Sequence, residues 1–149
     1  MTGPRARLIV ALAIVALAGC TAPAEAQCWV WSVEGVNFGT YDVFSGAPLD
    51  SMGRLTVLCI PAAWIQVSLN RGGAPSFDPR RMRSGPNTLD YNLYLDAGRN
   101  VIWGDGSGGT QMYQGNDWWH SLPIYGRIPA NQDVATGSYT NRIVATINF

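Results

Sequence analysis

The sequence predicts an all-β domain, a β-sandwich of about six short strands. Three observations carry this. Apolar and polar residues alternate with period two over most of the chain, the signature of strands that bury one face. Seventeen glycines and nine prolines among 149 residues punctuate these runs and suit turns better than long helices. No stretch shows sustained helical periodicity, apart from a short turn around 79–83. The length is that of one domain, and a hydrophobic content of 47% supplies a packed core and argues against disorder. Ten arginines face ten acids. No basic field exists to hold a phosphate backbone, so nucleic acid is not an expected partner.

The first element is an address. Arg5 and Arg7 precede an apolar run at 8–18, and small residues follow. That is the layout of a secretory signal peptide, and the run is short for a bilayer span. Two cleavage points are open. Ala24-Glu25-Ala26 is a small-x-small site that makes 1–26 the signal and 27–149 the domain. Leu17-Ala18-Gly19-Cys20 is similar to a bacterial lipobox, which ends the signal at residue 19 and lipidates Cys20. The first leads to the periplasm, the cell surface or a fibre, the second to an outer-membrane lipoprotein. With Cys20 removed or lipidated, Cys28 and Cys59 remain. An even count in an exported chain reads as one disulfide.

The strands follow in order. The first is expected around 29–38. Leu55, Val57 and Cys59 share a parity in a strand at 54–60, and Ile65, Val67 and Leu69 share one at 63–70. Leu89, Tyr91, Leu93 and Leu95 define 88–96. Leu122, Ile124 and Ile128 define 119–128, broken by Gly126. The last and longest alternation, Tyr139, Asn141, Ile143, Ala145, Ile147 and Phe149, occupies 138–149. Between them lie a turn cluster at 48–53, an irregular stretch from Arg71 to Pro86, a glycine-rich hairpin-type loop at 104–109 and a connection at 129–137.

Several strings, in order, resemble one family. They are Cys28; Val36-Asn37-Phe38-Gly39-Thr40-Tyr41-Asp42; Pro48-Leu49-Asp50; the run 53–59; Arg81-Met82; the run 89–96; Trp103-Gly104-Asp105-Gly106; Tyr125-Gly126-Arg127-Ile128-Pro129-Ala130-Asn131-Gln132; and Gly137-Ser138-Tyr139-Thr140. The chain resembles, over 28–149, the spore coat protein U domain, shared with subunits of Csu-type (archaic) chaperone–usher pili. The resemblance implies an incomplete immunoglobulin-like sandwich that lacks its last strand and exposes a hydrophobic groove. It implies a periplasmic chaperone, an usher and neighbouring subunits as partners, each donated strand entering by β-addition. The product is then a non-enzymatic part of a surface fibre or coat, with adhesion and biofilm as its setting. The chain ends at Phe149, directly after its strongest alternation. Six strands are counted, against seven in a closed immunoglobulin-type sandwich. The buried parities Leu55, Val57, Ile143, Ala145, Ile147 and Phe149 are the expected groove. Only Gln27 precedes Cys28 in the mature chain, so this subunit is expected to accept a strand and not to give one.

Other residues invite chemistry. Trp64 falls on the polar parity of its strand, and Trp118-Trp119 stand among Asn116 and Asp117. They either stack on a surface glycan, the alternative function being a carbohydrate-binding or adhesive module, or cover the edge of the core. His120, with Asp117 and Ser121 or Ser138, is the one place to look for a triad, but no G-x-S-x-G elbow is present. An exposed imidazole at a strand end is the plainer reading. Asp96, Asp105 and Asp117 fit no calcium-loop spacing and read as turn caps. The loop 104–110 lacks the following helix a phosphate cradle needs. Arg80, Arg81 and Arg83 read as solvated, or as partners of Asp78 and Asp90. No cofactor and no metal are expected.

Overall fold

The structure is a computed structural model that describes residues 24–149. Of the expected signal segment, residues 1–23, Cys20 included, lie outside the described residues. Six strands form, all paired antiparallel: β1 (Gln27–Glu34), β2 (Leu49–Leu69), β3 (Arg80–Ser84), β4 (Asn87–Tyr94), β5 (Tyr113–Ile128) and β6 (Ala145–Asn148). The sheet order is β1-β2-β5-β4-β3, with β6 paired to β2. Among the described residues no helix is long and apolar enough to cross a membrane.

The axis of the fold is the long β2–β5 ladder. The two runs expected at 54–60 and 63–70 are one strand. The register with β5 shifts between Leu58 and Ala63, so that 59–62 oppose Trp118 alone. Pro61, which has no N–H to give a ladder, sits in this bulge after a cis Ile60–Pro61 bond. A bulge bends its strand and increases the local twist. Parity runs on unbroken along β2, where Leu55, Val57, Cys59, Ile65, Val67 and Leu69 all face the core. The net insertion of three residues is absorbed by a change of inward parity along β5, from Tyr113 and Gly115 to His120 and Leu122. The near half of β2 pairs with β1 and with the end of β5; the far half pairs with the start of β5 and with β6.

β3 arises inside the stretch read as irregular, because five residues are too few for alternation to stand out. Only Arg80 and Met82 turn inward. The expected strand 138–149 shortens to β6. Its first residues cross β3 instead, where Arg83 and Thr140 exchange main-chain bonds of 2.9 and 3.0 Å.

Curling brings the far end of β2 back to β4. Trp103, wholly buried, donates its indole N–H to the Val67 carbonyl at 2.8 Å, and the Leu69 N–H reaches Gly104 O at 3.2 Å. Arg80 is also wholly buried, not solvated as expected. Its guanidinium donates to Asn70 O (3.0 Å), Asn92 Oδ1 (2.8 Å) and Trp103 O (2.5 Å), all neutral acceptors. Burial among them pushes its pKa down to about 10. Arg81 does pair with Asp90, at 3.0 Å. The disulfide joins Cys28 to Cys59, directly opposed residues of β1 and β2 that are 31 apart in sequence.

Candidate functional site: an apolar cleft beside the last strand

After β1 the chain crosses the inner face of the sheet instead of turning back. Two glycines make room for it. A Cβ on Gly126 would stand 2.6 Å from the Phe38 ring and 2.7 Å from a Val36 methyl, and one on Gly53 would stand 2.5 Å from Glu34 O. Residues 35–44 thus become one wall of a cleft. Residues 134–143 become the other, and β6 continues that wall. Leu69, Met82, Leu89, Tyr91, Leu93 and Ile124 are among the floor residues, and the cleft encloses about 1440 Å³. That exceeds the ordinary small-molecule pocket of about 300–1,000 Å³. Its charged lining residues, Glu34, Asp42 and Arg142, are all exposed.

Distant side chains pin the walls. Tyr41 donates its hydroxyl to Pro129 O and accepts the Gln132 N–H, both at 3.0 Å. The Gln132 carboxamide takes the Asp90 N–H (2.8 Å) and donates to Asp90 O (2.8 Å), filling the place of a neighbouring strand beside β4. Asn141 donates to the Tyr91 hydroxyl at 2.9 Å, and burial raises the pKa of that phenol. Tyr41 and Gln132 lie in two of the strings that carried the family resemblance. Sequence reading assigned them no task, since partners some 90 residues apart leave no periodic signal.

Among the described residues, β6 has one unpaired edge. The Asn70 N–H donates to Val144 O at 3.0 Å. Alternation in an antiparallel ladder then turns the main-chain groups of Thr146 and Asn148 toward β2, and those of Ala145 and Ile147 toward the opposite edge. No described strand pairs with β6 there. Of the six groove residues expected from sequence, Leu55, Ile143, Ala145 and Ile147 line the cleft. Val57 lies wholly in the core and Phe149 is 64% exposed, so neither lines it. Val57 is held inside by β1 and β5 on either side, and Phe149 stands past the end of β6.

His120 is buried, which corrects its reading as an exposed strand-end imidazole. Its Nε2 donates to Asp117 O (2.9 Å), which fixes the tautomer and leaves Nδ1 to accept from the Tyr113 hydroxyl (3.2 Å). The Ser121 hydroxyl accepts from Arg54 at 2.6 Å. Asp96 caps Asn100 and Val101, and Asp105 caps Ser107. Among the described residues no group of three His, Cys, Asp or Glu side chains is placed to hold a metal ion. Trp118 and Trp119 lie 6.1 Å apart at the bulge, and Trp64 stands on the outer face of the far half of β2, where it is 56% exposed.

A six-stranded antiparallel sandwich, stapled between its first two strands and open along its last, is the class of protein that fold and cleft define. Residues 9–146 match the Spore Coat Protein U domain, and the chain belongs to that family. It is 35% identical over 127 residues to Protein U of Myxococcus xanthus, an alignment covering 76% of this chain and 71% of that one. Among solved structures it is similar to a chain in the chaperone–tip adhesion subunit pre-assembly complex from the archaic chaperone–usher Csu pili of Acinetobacter baumannii. The TM-score is 0.60 at 20% identity, over 84% of this chain and 40% of that one. That likeness concerns the fold, and the present chain spans two fifths of the other's length.

Proposed function

We propose that this chain is a non-enzymatic structural subunit of a surface coat or fibre, exported from the cytoplasm and completed by a β-strand from another polypeptide. One observation carries the reading: the unpaired edge of β6 runs along an apolar cleft lined by Ile143, Ala145 and Ile147. An unpaired edge over exposed apolar surface is an aggregation hazard unless something covers it. An extended segment with alternating apolar side chains satisfies both needs, its main chain bonding to Ala145 and Ile147 and its side chains filling the cleft. The donor is a periplasmic chaperone before assembly and a neighbouring subunit afterwards, with an usher guiding export to the surface. Fold likeness to a pilus subunit complex and membership of a spore coat family support this. An adhesive or biofilm role for the assembled polymer follows from the same reading.

The test is to export the full chain with and without a chaperone of the chaperone–usher class, and to follow hydrogen exchange. The expected result is a stable complex in which the amides of Ala145 and Ile147 become protected, and Ile147→Asp abolishes it. A lone, soluble monomer whose Ala145 and Ile147 amides exchange equally fast in both preparations would overturn the proposal.

A further inference from the structure

The face of the far half turned away from the core has a different chemistry. Ile65, Val67 and Leu69 point inward, so Trp64, Gln66 and Ser68 point outward. The register sets Asn116 opposite Trp64, Gln114 and Asn148 on either side of Gln66, and Thr146 opposite Ser68. Directly opposed residues share a face. Three adjacent strands therefore present four carboxamides, two hydroxyls and one exposed tryptophan, with no charge among them. The near half of the same ladder is unlike this. Its outward positions carry Asp50, Arg54 and Arg127, engaged in the Asp50–Arg127 pair and the Arg54–Ser121 bond. The change falls at the Leu58/Ala63 bulge. None of the seven far-half side chains takes part in a hydrogen bond with the described residues. Beyond the bulge the strip meets Trp119, which stands 5.9 Å from Trp31 with the ring planes at 59°.

We propose that this strip binds a neutral polysaccharide chain. A sugar hydroxyl both donates and accepts, and so do a carboxamide and a side-chain hydroxyl; a carboxylate only accepts and a guanidinium only donates. Outward residues recur every 6.6–6.8 Å or roughly so along a strand and about 4.8 Å across strands, which makes a regular grid of such groups. Trp64 adds a flat apolar plate for the C–H face of a pyranose ring, and its indole N–H is available at the edge. A charged polymer finds no counter-charge on the seven residues. A protein partner is a poorer fit, because interface cores concentrate aromatic residues, Met and Arg, and are depleted in Ser. The cleft opens on the opposite side of the same strands, so the strip stands independently of strand acceptance and is compatible with it.

The experiment is affinity electrophoresis of the full chain through gels containing hydroxyethylcellulose, galactomannan or dextran, with alginate as the anionic control. Retardation in at least one neutral gel and none in alginate is expected. Trp64→Ala weakens binding roughly tenfold, and Gln66→Glu, which places a charge at the centre of the grid, does so too. Both positions are outside the core, and unchanged thermal unfolding of each variant confirms that folding is not the cause. Migration unaffected by all three neutral polymers, equal retardation in alginate, or wild-type retardation of both variants overturns the proposal. So does loss of binding in Trp119→Ala with none in Trp64→Ala, since that places the ligand on the Trp31–Trp119 cluster instead.

Discussion

The β2–β5 ladder and the two walls of the cleft are held by different means. The ladder is main-chain pairing on both sides of one bulge, with an unbroken apolar parity along β2. The walls, 35–44 and 134–143, carry almost no ladder. Apart from the Arg83–Thr140 main-chain bridge, they are fastened by single side chains: Ser51 to Asn37 O, Tyr41 to Pro129 O and Asn141 to Tyr91. Cooperative pairing makes a rigid body, whereas segments held by separate exposed bonds open at lower free energy. Under the proposed function, this division lets the molecule keep its shape while a strand is laid between its walls, with stability belonging to the ladder and its fastenings and strand capture to the walls.

Breaking the staple between the two parts is expected to have the largest effect. The disulfide ties β1, and through it the wall at 35–44, to the ladder. Closing a loop whose ends are 31 residues apart is worth about 3–4 kcal/mol by loop entropy. Cys28→Ser with Cys59→Ser should lower unfolding stability in urea by that amount. A loss below about 1 kcal/mol would mean that the wall is fastened as firmly by its side chains alone. The next effect separates a glycine beneath the same wall, Gly126 of β5, from one at its start, Gly35. Gly126→Ala forces a methyl against Phe38 and Val36, whereas a Cβ at Gly35 meets nothing within 4 Å. Overpacking predicts a loss of about 1–3 kcal/mol for the first and no steric penalty for the second, read from paired denaturation curves. Equal losses would show that the crossing at Gly126 is not the point on which the wall rests.

The ladder was legible in the sequence and the walls were not, for the same physical reason. A strand that buries one face writes a period of two, so Leu55 to Leu69, Leu89 to Leu93 and Leu122 to Ile128 could be placed inward without coordinates. The disulfide followed from two remaining cysteines. The runs 54–60 and 63–70 read as two strands, but a bulge absorbs the donor that Pro61 lacks without ending the pairing. Arg80 and His120 are polar residues that the rule of polar exposure places outside; each is instead buried with its donors met by neutral partners. Arg80 has no acid within ion-pair distance among the described residues to announce its burial. The wall residues Tyr41, Gln132 and Asn141 depend on contacts across the fold. Only their place in family strings marked the first two, and a string says that residues matter without saying what they touch.

Two of those strings meet in the smallest effect expected. Asp50 of β2 accepts two bonds from Arg127 of β5, at 2.7 and 2.9 Å, and Arg99 approaches it at 3.3 Å while donating to Gly126 O. The hydrogen bonds from Arg127 hold the Asp50 carboxyl below its ordinary range, with the charge of Arg99 adding to them. A carboxyl whose folded pKa is depressed contributes stability that is fully present above its unfolded value near 3.9, and that is lost as pH falls through the folded value. The pair sits on the near half of the ladder, so its loss should loosen β2 against β5 and leave the cleft walls unchanged. With 35% of the Asp50 side chain exposed, solvent screening limits the pair to about 1 kcal/mol or less. Asp50→Asn should therefore unfold slightly earlier than the wild type at about pH 7, and the two curves should converge at about pH 2. A difference that persists undiminished in acid would assign the effect to packing around Arg99 and Tyr125, whose ring lies 5.8 Å beneath that guanidinium, and not to the charge on Asp50.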